Sequence, residues 1–189
     1  MKSASPSFAT EPISNSLKKL LLPTSIVGVL TCVLDQWTKA LAVNHLQYGD
    51  SVEIIPKIFN LTLVYNKGAA FGLFSGLPDP WRQIVLWSTS GIVILMLLYF
   101  LLKTHLPSGF TGFSVGLILG GAVGNGIDRA REGMVVDFLD VYYGAYHWPA
   151  FNIADSAICI GVVALLFISG PTKSVEVVKP SGETGPVSA

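Results

Sequence analysis

Two aspartates carry the clearest chemical signal in the chain: Asp137, in VVDF, and Asp155, in FNIADS. Asp155 opens an apolar run of membrane length and Asp137 lies on the polar loop before it, at a membrane rim where an ionisable group is costly and marks function more often than structure. The polar loop between them is short enough to bring the two carboxyls together. Two carboxyls within hydrogen-bond reach do not both ionise easily, so one keeps its proton while the other can accept one. Such a pair can hydrolyse a peptide bond with no covalent intermediate. One carboxylate activates water and the other carboxyl protonates the carbonyl oxygen. The pair titrates as a unit, so neither member is given a fixed role.

Other polar residues gather nearby. Asn125 and Arg129 are spaced i, i+4 and share one helix face, where the arginine can hold a phosphate, a carbonyl or a carboxylate. Asp128 points elsewhere around that helix and is expected to be structural. Asp140, in strand-like alternation with Phe138 and Tyr142, is expected to be solvated, and His147 to cap an aromatic interfacial loop. No serine pairs with a lysine or histidine at convincing spacing, and no metal-ligand pattern is present. Cys32 and Cys159 lie inside apolar runs and are expected to be buried, inert thiols.

These residues need elements to position them. Of 189 residues, 51% are hydrophobic and only 13% charged, against about a quarter charged in soluble domains. Mean hydropathy is +0.58. The class is an integral membrane protein with little soluble mass. A formal net charge of zero removes any argument for nucleic acid. Four apolar runs read as spans, at about 20–43, 84–102, 110–127 and 151–169. The segments 1–19 and 170–189 read as disordered tails. The first run, following Lys18 and Lys19, resembles a signal peptide in outline. It continues past Cys32, however, and Val29-Leu30-Thr31 is a poor lipidation context, so an uncleaved span is expected.

In the first span Asp35 and Lys39 stand at i, i+4 and are expected to form a structural ion pair. In the third, Gly112, Gly116, Gly120 and Gly124 recur every fourth residue, so another helix backbone can approach that face closely. Residues 59–65 and 134–143 alternate as strands do. Ala69 to Phe74 is apolar and too short to span, and is expected to rest on the bilayer surface. Four spans put both termini on one side, and the lysine and arginine bias makes that side cytoplasmic. Loops 44–83 and 128–150 then face outward, and Asn66, Asn125, Asp128, Arg129, Asp137 and Asp155 collect at the outer rim.

The ordered blocks DQWTK (35–39), NLTLVYNKGAAFGLF (60–74), GGAVGNGIDR (120–129), VVDF (135–138) and FNIADS (151–156) resemble bacterial lipoprotein signal peptidase, signal peptidase II. Singly these motifs are weak, but five in order are highly specific. The resemblance implies an all-α membrane protein, with four transmembrane helices and a small extracytoplasmic β-rich cradle. It implies an aspartic endopeptidase of the bacterial inner membrane that needs no cofactor. Its substrate would be a prolipoprotein, cleaved just before a cysteine already carrying diacylglycerol. It would act as a monomer among membrane lipids. The resemblance makes Asp137 and Asp155 the catalytic pair and places Asn66, Asn125, Arg129 and Asn152 against substrate. It makes Asp35 and Lys39 a structural pair.

Two rival readings fit less well. A proton-coupled transporter would need carboxylates through the membrane depth or a repeated pair of broken helices, and only Asp35 is deep. A scaffold using the glycine face gives no reason for Asp137 and Asp155 to flank one short loop.

Overall fold

The computed structural model describes residues 13–69, 72–103 and 108–168. Of the expected tails, 1–12 and 170–189 fall outside them, but 13–19 is helical rather than disordered, because the first helix already begins at Ile13. Helix α1 (Ile13–His45) leads to strands β1 (Ser51–Ile55) and β2 (Phe59–Asn66). Helices α2 (Trp81–Lys103) and α3 (Ser108–Glu132) follow. Strands β3 (Val135–Tyr143) and β4 (Tyr146–His147) then lead into α4 (Ile153–Ile168). Among the described residues three helices are long and apolar enough to cross a membrane, and α4 is a shorter apolar helix. Leu22, Val29, Met96 and Phe167 are more than half exposed on their outer faces. Water does not tolerate an apolar surface that large, so this is a membrane protein.

Helix α3 is packed between α1 and α4, and small residues make this possible. A Cβ added to Gly120 would lie 2.5 Å from the Gly28 carbonyl oxygen of α1. One added to Gly121 would lie 2.5 Å from the Ala154 carbonyl oxygen of α4. The glycine ladder therefore brings α1 within backbone contact, while Gly121 does the same for α4. Gly120→Ala is expected to force α1 and α3 apart and to cost about 1–3 kcal/mol, read as a lower unfolding temperature in detergent. Unchanged stability would mean the two helices can separate freely.

The four strands form one antiparallel sheet in the order β1-β2-β3-β4. Asn66 pairs with Val135 and Val64 with Asp137, with an irregularity between Leu61 and Val64. Leu63 and Phe138 pack on Ala42 of α1 and pin the sheet to the end of that helix. Alternation located β2 and β3, but not the exposed β1 or the two-residue β4.

Several boundaries and environments differ from expectation. Helix α3 runs on to Glu132, past the expected end of the span at 127, which keeps Asn125, Asp128 and Arg129 on one helix as their spacing implied. Asp140 is not solvated: it is buried, accepts a hydrogen bond from Asn60 Nδ2 at 3.0 Å and lies 3.0 Å from His147 Nδ1. Strand alternation cannot foresee this, because both partners come from neighbouring strands. His147 does stack on an aromatic ring, Tyr142, with centroids 5.0 Å apart, but it also closes over Asp140. Cys159 is exposed and Cys32 half-buried, because a helix in lipid turns apolar side chains outward as well as inward. In the Ala69–Phe74 stretch, Ala70 and Phe71 lie outside the described residues. The rest is a tight turn with Gly72 at φ 69° and Phe74 at φ 68°.

Candidate active site

Asp137 stands near the start of β3 and is 2% exposed. Asp155 stands in the first turn of α4, where the positive end of the helix dipole favours a carboxylate. Asn152, immediately before α4 and fully buried, links the two. Its Oδ1 accepts the Asp155 backbone N–H at 2.9 Å, which is a helix N-cap. Its Nδ2 donates to Asp137 Oδ1 at 2.7 Å and lies 3.2 Å from Asn125 Oδ1. Asn125 in turn donates Nδ2 to Asp155 Oδ1 at 2.7 Å. Asn66, at the end of β2, donates to Asp137 Oδ2 at 3.1 Å and accepts the Gly68 N–H at 2.8 Å. Each aspartate thus meets at least one amide donor, and two of the amides, Asn152 and Asn125, bond to each other.

Beneath this group lies a second one. Lys39 Nζ sits 2.8 Å from Asp35 Oδ2 and 2.8 Å from Asp128 Oδ2. It also donates to Asn125 Oδ1 at 2.8 Å. Asp35 is 0% exposed, and its Oδ1 accepts the Ala154 N–H at 2.8 Å. Asp128 accepts from Val136 N–H at 3.2 Å and from Gln36 Nε2 at 2.7 Å. One ion group therefore ties α1 to α3, β3 and α4. Gln36 stands between two residues that drew attention in the sequence, yet its own role rests on a contact with α3 that no local spacing discloses.

Arg129 lies one turn beyond Asn125. Its Nη2 donates to the Gly68 carbonyl oxygen at 3.3 Å, while its buried Nε has no acceptor. The charges of Asp155, Asp137 and Asp128 all act on its guanidinium. Asp137 also lines a cleft of about 390 Å³, whose walls include Val64, Tyr65 and Asn66 on one strand and Pro149 and Ala150 opposite. Tyr48 stacks on Tyr65 with centroids 5.9 Å apart and extends that wall. Sequence reading missed Tyr48, Pro149 and Ala150. Proximity of Pro149-Ala150 to FNIADS was the available signal.

Burial pushes the Asp137 carboxyl up to about 7, helped by the charge of Asp155 and opposed by the Asn66 and Asn152 donors. The folded chain therefore holds a proton that the unfolded chain releases near pH 4. Stability from this group is full below that value and is lost as pH rises to about 7. A buried carboxyl that stays protonated to neutrality beside a second carboxyl can both give and take a proton, the requirement for activating water without a bound metal or a covalent nucleophile.

Comparison with known proteins bears on this arrangement. Residues 27–170 match the family model described as "Signal peptidase (SPase) II". A lipoprotein signal peptidase of Francisella tularensis subsp. novicida (strain U112) is 47% identical over 148 residues, covering 78% of this chain and 91% of that one. One from Desulforapulum autotrophicum is 46% identical over 149 residues, covering 79% and 92%. A solved bacterial membrane enzyme, determined by the in meso method, superposes with a TM-score of 0.65 at 34% identity. It covers 82% of this chain and 87% of that chain.

Proposed function

The chain belongs to the signal peptidase II family, and from that premise we propose that Asp137 and Asp155 are the catalytic pair that removes signal peptides from prolipoproteins. The family reaction is aspartic endopeptidase cleavage in lipoprotein maturation. The bond cut precedes the diacylglyceryl-modified cysteine. The observation that carries the residue assignment is the Asn66–Asn152–Asn125 amide set, which holds buried Asp137 and partly buried Asp155 at one site.

In this reading a water molecule lies between the two carboxyls and the scissile carbonyl carbon. The ionised carboxyl takes a proton from water as its oxygen attacks that carbon. The protonated carboxyl gives its proton to the carbonyl oxygen. The tetrahedral intermediate then collapses: the C–N bond breaks, the amine nitrogen leaves with the proton that the first carboxyl took, and one hydroxyl of the intermediate returns its proton to the second carboxyl as the carbonyl re-forms. One carboxyl again holds a proton, and no bond to the enzyme has formed. Arg129, Asn66, Asn125 and Asn152 are the substrate-holding residues, and the unpartnered Arg129 Nε is a donor ready for a substrate carbonyl. The extended peptide lies in the cleft beside β2, where a strand can supply main-chain bonds. Asp35, Lys39 and Asp128 are structural.

The enzyme is read as a monomer with four spans, both termini cytoplasmic and the sheet a cradle at the outer face. A lipidated substrate then reaches the site laterally from the bilayer lipids. Helix α4 supports the fourth span: its 16 residues rise about 24 Å, most of a hydrocarbon core of about 30 Å. A cleavage assay that compares lipidated and unlipidated prolipoprotein tests the function. Only the lipidated form is expected to be cut, and equal cutting of both would sink the lateral-entry reading.

Two further outcomes are expected. Arg129→Ala should leave the protein inserted and lower kcat/KM about tenfold or more, the scale of a lost charged hydrogen bond. Loss of inserted protein with normal activity in the remainder would make Arg129 structural instead. The rate of cleavage should fall on the alkaline side as Asp137 loses its proton near pH 7. The Asn66 donor favours the ionised form, so Asn66→Leu should move that limb to higher pH. A limb that moved lower would contradict the Asn66–Asp137 bond.

A further inference from the structure

The ion group beneath the site has a feature that bracing alone does not need. Lys39 already holds α1 to α3 through Asp128 and pairs with Asp35 on its own helix, yet its Nζ also reaches Asn125 Oδ1 at 2.8 Å. An ammonium has donors only. The Asn125 atom that faces Lys39 must therefore be the oxygen, which turns Nδ2 toward Asp155 Oδ1 at 2.7 Å. The Asn152 Nδ2 at 3.2 Å from the same oxygen reinforces that orientation. Without a cation on its far side, only the longer Asn152 contact at 3.2 Å opposes rotation of the Asn125 amide to offer Asp155 an acceptor instead of a donor.

We propose that Lys39 is a positioning residue for the reaction, acting through Asn125 to keep an amide donor and a positive charge on the Asp155 carboxylate. Both effects favour ionised Asp155, so Asp155 is the member that takes the proton from water and Asp137 the member that gives one. Asp155 also stands on the positive end of α4, whereas Asp137 stands in a strand with no such dipole. The charged and titratable groups around Asp155 are Asp35 and Lys39 of α1, Arg129 of α3 and Asp137 of β3. Asp128 lies behind them on Lys39. Of the two cations, Lys39 alone is joined to Asp155 through a single amide. This inference rests on the reading of Asp155 as catalytic.

The test is the pH–rate profile of inserted enzyme acting on lipidated prolipoprotein. Lys39→Met combined with Asp128→Asn removes the lysine and one carboxylate together, so Asp35 is the one carboxylate of the group left without its cation. Asp128→Asn alone, which keeps Lys39 on Asn125, is the control. The double variant is expected to shift the acid limb of kcat up by about one pH unit, a tenfold change in the proton equilibrium, with KM little changed. The control should shift far less. A merely structural lysine would lower the amount of folded enzyme and leave the limb in place, and that result overturns the proposal. If the double variant does not fold, Asn125→Leu decides. It keeps both carboxylates on Lys39 but cuts the path, and an unmoved acid limb again overturns the proposal. Activity in Asp155→Asn would instead remove the reading on which this rests, so the two failures are distinguishable.

Discussion

Asp137→Asn or Asp155→Asn is expected to abolish cleavage of lipidated prolipoprotein, by about 10²–10⁴-fold or more, the scale of a lost general acid or base. The substitution keeps shape and volume, so insertion and folding should survive. For Asp137 the case is stronger. Its carboxyl already stays protonated to about pH 7, and an amide imitates that neutral form. The variant should therefore match the parent in stability at acidic pH and exceed it above neutrality, where the parent must ionise a buried group. Cleavage measured beside thermal unfolding separates the two effects. Full activity in either variant would remove that residue from the dyad.

Lys39→Met alone is expected to cost about 3–5 kcal/mol, because it leaves the Asp35 and Asp128 carboxylates buried without their cation. Total stabilities are about 5–15 kcal/mol, so much of the chain should fail to reach a folded, inserted state. The measurement is the yield of monodisperse protein from membranes, together with its unfolding temperature in detergent. Parental yield and stability would show that the group is hydrated rather than buried. Asp128→Asn, which leaves Lys39 paired to Asp35, should cost much less. The contrast identifies the lysine as the centre of the group.

How much of this was legible in the sequence depends on the range of the interaction. The strands 59–66 and 135–143 were readable because a half-buried strand alternates, and alternation is local. Asp140 misled for the same reason: its pattern is that of a solvated strand residue, but Asn60 and His147 enclose it from adjacent strands. Cys159 misled because an apolar run looks alike whether it faces protein or lipid. The glycine ladder announced a close approach without naming the partner. Its Gly120 and Gly124 face α1, while Gly121, off the ladder, faces α4.

By itself the sequence determined the membrane class, the family and the two aspartates worth testing. Those depend on composition, on ordered motifs and on the cost of ionisable groups beside apolar runs, all carried by the chain locally. Only the tertiary structure decided how the carboxyls are held. Asn152 caps α4 with its oxygen and donates to Asp137 with its nitrogen, while Asn125 faces Lys39 on one side and Asp155 on the other. An amide has two different ends, and which end meets which partner depends on residues from α1, β2, β3 and α4 closing on one point. Spacing along the chain carries no record of that orientation.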